Sequence, residues 1–446
     1  MITDHLISVY DRPVPRYTSY PTAPQFHAGI DAATMAEWLA GLPAEAPLSL
    51  YLHVPFCQQM CWYCGCNTQI VARHQPIGDF AGTLLAEIAR VGDLLAAVRH
   101  KRIVSSIHFG GGTPNSLAPD EFERIMAALD HHFALEHDLD LAIELDPRTV
   151  NDEFLAAMRR VGVSRASLGV QDFDPVVQTA VNRVQPFELV QDCVGKLRAS
   201  GIRSLNLDLI YGLPFQSVSG IRRTVAQAVD LAPDRIALFG YAHVPWMKPH
   251  QRLIDEASLP DAYARFRQFE AAAQALAAAD YGRIGLDHFA RAGDTLRVAR
   301  DNHTLKRNFQ GYTVDRADAL IGFGPSAISA LPQGYIQNAP DHAPWARAVS
   351  EGRLAAVKGV AVTAEDRRRR AIIEQIMCYG SVDLAAFDFD PASVMIALWP
   401  LIEDGLIHLN GCDLTVTERG LPFQRVVAAA FDAYLVPEAK RHSRAV

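Results

Sequence analysis

Four of the seven cysteines crowd into one short stretch, at Cys57, Cys61, Cys64 and Cys66. The first three stand in Cys57-Gln-Gln-Met-Cys61-Trp-Tyr-Cys64, a C-x3-C-x2-C spacing. Three close thiolates on one loop can hold three corners of a cubane iron–sulfur cluster, because thiolates are the usual protein ligands of such clusters. The fourth iron then stays open to a molecule that must bind metal directly. A zinc knuckle completed by Cys66 or His53 would use the same atoms. Zinc sites more often draw on two separated Cys pairs, and no second pair is present. The cluster is therefore the expected occupant.

Other residues invite chemistry with a bound molecule. Gly110-Gly-Gly-Thr-Pro114 follows an apolar run, and glycine, lacking Cβ, lets backbone approach a ligand closely. A plain turn reads the same way. Glu144 in LAIELDP and Asp208 in LNLDLIYG put carboxylates into apolar strands, which is costly unless each is paired or hydrogen-bonded. A ribose hydroxyl or a structural ion pair would satisfy either. Arg183 can grip a carboxylate in fork geometry or lie on the surface. Tyr51 and Tyr63 flank the cysteines and read equally as core aromatics. Arg367–Arg370, four consecutive arginines on an expected helix, read as a solvated face. Cys193, Cys378 and Cys412 read as isolated core thiols.

The elements that must position these groups repeat. Short runs rich in β-branched residues occur at 48–54, 103–109, 139–145, 164–170, 204–210 and 235–241, with helical stretches such as 79–98 and 119–133 between them. Strands spaced by helices imply βαβ units and a parallel sheet. The expected fold class is α/β, an incomplete (β/α)6 barrel, and the chemistry-bearing residues fall near the strands' C-terminal ends, where parallel barrels keep their active sites. No Gly-x-Gly-x-x-Gly follows the first strand, which disfavours a dinucleotide-binding sheet. An N-terminal arm is expected over 1–47, with a short helix near 32–40, and the catalytic domain over 48–350. Residues 351–446 read as a small, mainly helical, winged-helix-like domain. Its helices are expected at 363–378 and 391–404, followed by a β pair at about 406–416 turning at Gly411. A final helix is expected to about 435, and a tail without structure from 438.

Lys plus Arg number 42 and Asp plus Glu 50, giving a formal net charge of −8. That argues against a general nucleic-acid binder, whose affinity would come from neutralising phosphates. It leaves room for an anionic substrate held by a local cluster of cations. The opening residues have no basic region followed by an apolar stretch, and no apolar run reaches transmembrane length. A local cysteine quartet without a signal sequence suits a reducing cytoplasm, the expected location.

The cysteine motif, with aromatic Tyr63 before its last Cys, closely resembles that of the radical S-adenosylmethionine (SAM) superfamily. Further segments sharpen the likeness: Pro15-Arg-Tyr-Thr-Ser-Tyr-Pro21, Leu50-Tyr-Leu-His-Val-Pro-Phe-Cys57, Cys64-Gly-Cys-Asn67, His108-Phe-Gly-Gly-Gly-Thr-Pro114, Gly169-Val-Gln-Asp172, Val181-Asn-Arg183, Asp208-Leu-Ile-Tyr-Gly-Leu-Pro214, Tyr241-Ala-His243, Gly285-Leu-Asp-His-Phe-Ala290 and Arg307-Asn-Phe-Gln-Gly-Tyr312. In this order, over about residues 12 to 435, they resemble the oxygen-independent coproporphyrinogen III oxidases. The resemblance implies a [4Fe-4S] cluster on Cys57, Cys61 and Cys64 and two SAM molecules. Tyr51 and Gly111 would serve the first SAM, and Glu144 a ribose hydroxyl. Tyr63, Gly112, Thr113, Gln171, Arg183 and Asp208 would serve the second, with Ala242 and Ile328 giving backbone or apolar contacts. Tyr51 and Cys66 are the expected catalytic residues, Cys66 turned toward the pocket rather than ligating iron. His288 and Arg307 are candidates for the anionic substrate or a structural role, and the arm at Arg16–Pro21 is expected to close over the site. The implied substrate is coproporphyrinogen III, with an electron donor for the cluster, an outside electron acceptor, and a monomeric state. Haem-handling paralogues and a haem-opening radical SAM methyltransferase share the scaffold. The paralogues usually lack the cysteine two places after the third ligand and the Arg-Tyr-Thr-Ser-Tyr-Pro arm, and both are present here.

Overall fold

Apolar residues alternate or run continuously through six segments, and each becomes a buried strand of one sheet. A computed structural model describes residues 4–96 and 101–435. The six strands are β1 (Leu48–Val54), β2 (Ile103–Gly111), β3 (Ala134–Leu145), β4 (Arg165–Gln171), β5 (Ser204–Tyr211) and β6 (Arg235–Gly240). They lie side by side in chain order, all parallel. Helices Gln75–Ala96, Pro119–His132, Asp152–Val161, Phe187–Ala199 and Val218–Asp230 connect them. Their apolar faces and the strands bury one large core that includes Leu50, Phe80, Ile107, Phe122, Leu168 and Leu207. The end of the expected helix 79–98 and the tail from 438 lie outside the described residues.

The sheet extends beyond the expected six strands. On the β6 side it adds β7 (Gly282–Ile284) and β8 (His288–Ala290). A separate hairpin follows, β9 (Lys306–Asn308) and β10 (Gly311–Thr313). On the β1 side come β11 (Ala319–Phe323), β12 (Ile328–Leu331), β13 (Gly334–Asn338) and β14 (Ala356–Ala361). The full order is β14-β13-β12-β11-β1-β2-β3-β4-β5-β6-β8-β7. β11 runs parallel to β1, and the pairs beyond it are antiparallel. These added strands run three to six residues, too short to show a period-two pattern in sequence.

The C-terminal region holds helices Ala364–Tyr379 and Met395–Glu403 around a three-stranded antiparallel sheet. That sheet is β15 (Ser381–Asp383), β16 (Ile407–Asn410) and β17 (Asp413–Val416), with β17 in the middle. Gly411 turns the last pair at a φ of 62°. The last helix spans only Gln424–Ala429, shorter than expected. A helix at Ala32–Ala40 stands where the sequence puts it, and a further one at Asp4–Tyr10 precedes it. The arm does not cover the barrel alone. Leu6, Tyr10, Val14, Tyr17 and Tyr20 join the core of the C-terminal region with Ile372, Leu398 and Phe431. Tyr10 donates to Asp404 Oδ2 at 2.6 Å and Tyr17 to Asp432 Oδ2 at 3.0 Å.

The arginine run is a solvated face only in part, for each guanidinium also has a partner. Arg367 donates to Pro332 O at 3.0 Å, Arg368 to Asp388 O at 3.1 Å and Arg369 to Phe431 O at 3.0 Å. Arg370 lies 5.6 Å over the Tyr335 ring. The guanidiniums reach in different directions and tie one helix to both the barrel sheet and the C-terminal region.

Glu87, buried on helix Gln75–Ala96, holds the turn between β11 and β12. It accepts from Gly324 N at 2.7 Å and from Asn338 Nδ2 at 2.8 Å. Burial pushes its carboxyl up to about 7 from an ordinary 4.5, against these hydrogen bonds. The folded chain therefore keeps a proton that the unfolded chain releases, so stability falls as pH rises from about 4.5 to about 7, by at most about 1.4 kcal/mol per pH unit. Glu87→Gln, isosteric with the protonated acid, is expected to remove this slope from denaturant midpoints measured across that range. An unchanged slope would assign the effect to other groups.

Candidate active site

The cysteine loop leaves β1 at Pro55 and is cinched at its base. Gln69 N donates to Pro55 O at 2.6 Å and Val71 N to Cys57 O at 3.1 Å. Its tip is clamped from segment 248–251. Gln251 Nε2 donates to Tyr63 O at 3.0 Å, Lys248 Nζ to Cys66 O at 2.8 Å, and His250 Nε2 lies 2.8 Å from Cys64 O. His53 reaches Asn67 O at 2.9 Å.

Each of the three sulfurs meets a donor. Cys57 Sγ lies 3.1 Å from Thr113 Oγ1. Cys61 Sγ accepts from Arg183 Nη1 at 3.4 Å and Arg148 Nη2 at 3.6 Å. Cys64 Sγ accepts from Cys66 N at 3.4 Å. Burial pushes the Cys57 thiol up to about 11. A hydrogen bond from the Cys66 thiol draws Cys64 down to about 6 and drives Cys66 well up. Cys66 thus lines the cavity, as expected, but its thiol leans on Cys64 rather than away from it. Among the described residues no three His, Cys, Asp or Glu side chains converge on one ion-sized point. Three separate sulfurs, each with its own donor, fit a cluster whose thiolates are tuned by such hydrogen bonds.

The glycine turn at the end of β2 presses against this loop. Gly112 N donates to Val54 O at 2.8 Å, and a Cβ on Gly112 would sit 2.7 Å from Phe56 O. Gly111, at φ 118°, donates its N–H to Glu144 Oε2 at 3.1 Å. His108 Nε2 lies 3.2 Å from Glu144 Oε1. Burial favours the neutral form of Glu144, but the His108 hydrogen bond, the His108 charge and the Gly111 N–H outweigh it and hold the carboxyl below its usual range. Asp208 behaves oppositely. Burial, then the Glu144 charge, push it up to about 6, against hydrogen bonds from Ser167 and Asn206. Two carboxylates on one cavity thus hold a proton with different strength, Asp208 more tightly than Glu144.

Arg183 is buried and donates to Gly169 O at 2.6 Å, with Asp146 Oδ2 at 3.4 Å. Asp146 also pairs with Arg148 at 2.6 Å. Gln171 ends β4 at φ 69°, a left-handed conformation that side chains rarely adopt, held by its neighbour Asp172, which accepts from Gln216 Nε2 and Thr224 Oγ1. A cavity of about 170 Å3 gathers Cys57, Cys61, Tyr63, Cys64, Cys66, Gly111, Gly112, Thr113, Glu144, Gln171, Arg183 and Asp208. An adjoining one of about 520 Å3 is lined by Tyr51, His53, Cys66, Gly111, Glu144, Phe309, Gln310 and Ile328. Tyr51 OH lies 3.0 Å from His53 Nδ1. Ala242 joins through Gln251, which donates to both Ala242 O and Tyr63 O. Asp146 and Arg148 escaped the sequence reading, although Asp146-Pro-Arg148 directly follows the strand bearing Glu144.

Comparisons with known proteins place the chain in a family. Residues 51–228 match the family model described as the radical SAM superfamily. The oxygen-independent coproporphyrinogen III oxidase of Bradyrhizobium diazoefficiens is 50% identical over 454 residues, covering 100% of both chains. That of Paracoccus denitrificans is 42% identical over 99% of this chain and 98% of its own. The solved coproporphyrinogen III oxidase of Escherichia coli, described as a radical SAM enzyme, superposes with a TM-score of 0.89 at 35% identity, covering 95% of this chain and 100% of that one.

The arrangement predicts distinct outcomes for the four cysteines. Cys57→Ser, Cys61→Ser or Cys64→Ser should each abolish the brown iron–sulfur absorption of anaerobically purified protein. Cys66→Ser should keep it. A full cluster in one of the first three variants would remove that residue as a ligand, and loss in Cys66→Ser would make it one.

Proposed function

This chain belongs to the oxygen-independent coproporphyrinogen III oxidases of the radical SAM superfamily, and from that premise we propose that it converts two propionate side chains of coproporphyrinogen III to vinyl groups, yielding protoporphyrinogen IX. Each conversion releases CO2 and passes one electron to an outside acceptor, and a separate donor reduces the cluster. The observation that carries the reading is the set of three hydrogen-bonded cysteine sulfurs beside the glycine turn, at the C-terminal ends of the parallel strands.

Cys57, Cys61 and Cys64 would hold a [4Fe-4S] cluster. With SAM bound, that cluster would supply the one-electron chemistry that generates the hydrogen-abstracting radical. The chain's own residues bind, orient and shield. Glu144, kept ionised by His108 and Gly111, can accept from ribose hydroxyls. Tyr51 and Gly111 would line the first SAM, and Ala242 and Ile328 would add backbone or apolar contacts. Tyr63, Gly112, Thr113, Gln171, Arg183 and Asp208 would receive a second. The two adjoining cavities, which share Cys66, Gly111 and Glu144, support room for both. Cys66, at the junction of the cavities, and Tyr51, bonded to His53, are the catalytic candidates. Enclosing these groups in a cavity limits side reactions of a radical. A cytoplasmic location and a monomeric state complete the proposal. No helix among the described residues is long and apolar enough to cross a membrane.

Two measurements test this. Anaerobic turnover of coproporphyrinogen III with SAM and a reductant should yield protoporphyrinogen IX and CO2; SAM cleavage without either product would reject the substrate. Equilibrium binding should saturate at two SAM per loaded cluster, and Arg183→Ala should reduce this to one. Saturation at one in the unaltered protein would count against the second site.

A further inference from the structure

A tetracarboxylate substrate needs cations, yet most arginines bordering the cavities are already paired. Arg148 and Arg183 share Asp146, at 2.6 and 3.4 Å. Arg165 pairs with Asp140 at 2.6 Å and Arg235 with Asp294 at 2.8 Å. Arg16 and Arg307 differ: among the described residues neither has a carboxylate within ion-pair distance. Arg16 Nη2 donates to Gly240 O at 3.2 Å, at the C-terminal end of β6, and its guanidinium lies 5.8 Å from the Phe239 ring. Arg307 lies 4.3 Å over the Tyr312 ring and spends Nε and Nη2 on Arg16 O, at 3.3 and 3.2 Å. Phe239 and Tyr312 both line the cavity that also holds Glu144, Asp208, His288 and Gln310.

Two observations say that the Arg16–Arg307 pair is not finished by the protein. Arg307 is only 6% exposed, and its Nη1 has no hydrogen-bond partner. A buried guanidinium N–H without an acceptor is costly, and a carboxylate in fork geometry is what such a group is built to take. Asp287, bonded to His288 Nδ1 at 2.8 Å, feels the charge of both guanidiniums but makes no ion pair with either, so Nη1 stays without an acceptor. Arg307 also borders a cleft of about 350 Å3, lined by Tyr20, Lys306, Thr313, Arg370 and Glu374. That cleft meets the active cavities at Thr313 and at Leu320.

Resting on the function proposed above, we infer that Arg16 and Arg307 together form a carboxylate-binding subsite for a propionate of the macrocycle other than the one undergoing decarboxylation. The arm contributes one guanidinium and the β9–β10 hairpin the other. Because Arg307 donates to the backbone of Arg16, seating the arm and completing the subsite are one event. The subsite fixes the macrocycle by its edge, which would leave a different propionate facing the SAM cavities.

The test is equilibrium binding of coproporphyrin III, as free tetra-acid and as tetramethyl ester, to anaerobic cluster-loaded protein with SAM. The unaltered protein should prefer the acid, and that preference should shrink with added salt. Arg16→Gln and Arg307→Gln should each weaken acid binding on the order of tenfold and leave ester binding alone. Equal affinity for acid and ester, or variants with unaltered circular dichroism and cluster absorption that bind the acid as tightly, would overturn the subsite. Arg16, half-exposed, decides the matter if Arg307→Gln does not fold. Turnover by the unaltered protein is followed in parallel. Discrimination of acid from ester, lost in the variants but without turnover, would retire the proposed reaction and keep the subsite; turnover with undiminished variants would do the reverse.

Discussion

The structure turns on one buried guanidinium. Arg183 touches the Cys61 sulfur, Asp146 after β3 and Gly169 O in β4, so one side chain joins the cysteine loop to two barrel strands. Taking a charge out of water is expensive unless it is paired and hydrogen-bonded. Asp146 supplies the pairing, and Arg148 compensates Asp146 in turn. The loop's position is therefore set by electrostatics as well as by packing. A thiolate at Cys61 adds negative charge beside two guanidiniums, so ligation and the ion-pair network favour each other. Asn182, held at φ 55° next to Arg183, and Gln171 at φ 69° carry the backbone strain of this junction.

Much of the frame was legible in the residues. All six parallel strands lie within a few residues of the runs that announced them, because their buried residues either run on, as in Leu48–Val54, or alternate with period two, as in Arg165–Gln171 and Ser204–Tyr211. Every residue expected to serve the cluster or SAM, apart from Ala242, lines one of two adjoining cavities, since the chemistry sits just past strand ends and the parallel topology gathers those ends. Ala242 is linked only through Gln251, whose role no local pattern announces.

What stayed hidden has a common physical cause. The edge strands are short, and pairing across the sheet defines them more than sequence period does. The arginines at 367–370 looked like a solvated face because the carbonyls and rings they reach are remote: Pro332, Tyr335, Asp388 and Phe431. The left-handed backbone at Gln171 is imposed by the Asp172 network, which draws on Gln216 and Thr224 from the following turn of the barrel. Long-range partners decide these features, and a local reading cannot supply them.

The arm has a further meaning for how the molecule comes into being. Leu6, Tyr10 and Tyr20 bury their side chains against residues near 372–431, almost the whole chain away. During synthesis those partners emerge last, so the arm has nothing to bury itself in while the barrel is taking shape. Folding is thereby ordered in time: the barrel strands precede the segment that gives the arm its core, and the first residues of the chain find their place only with the last.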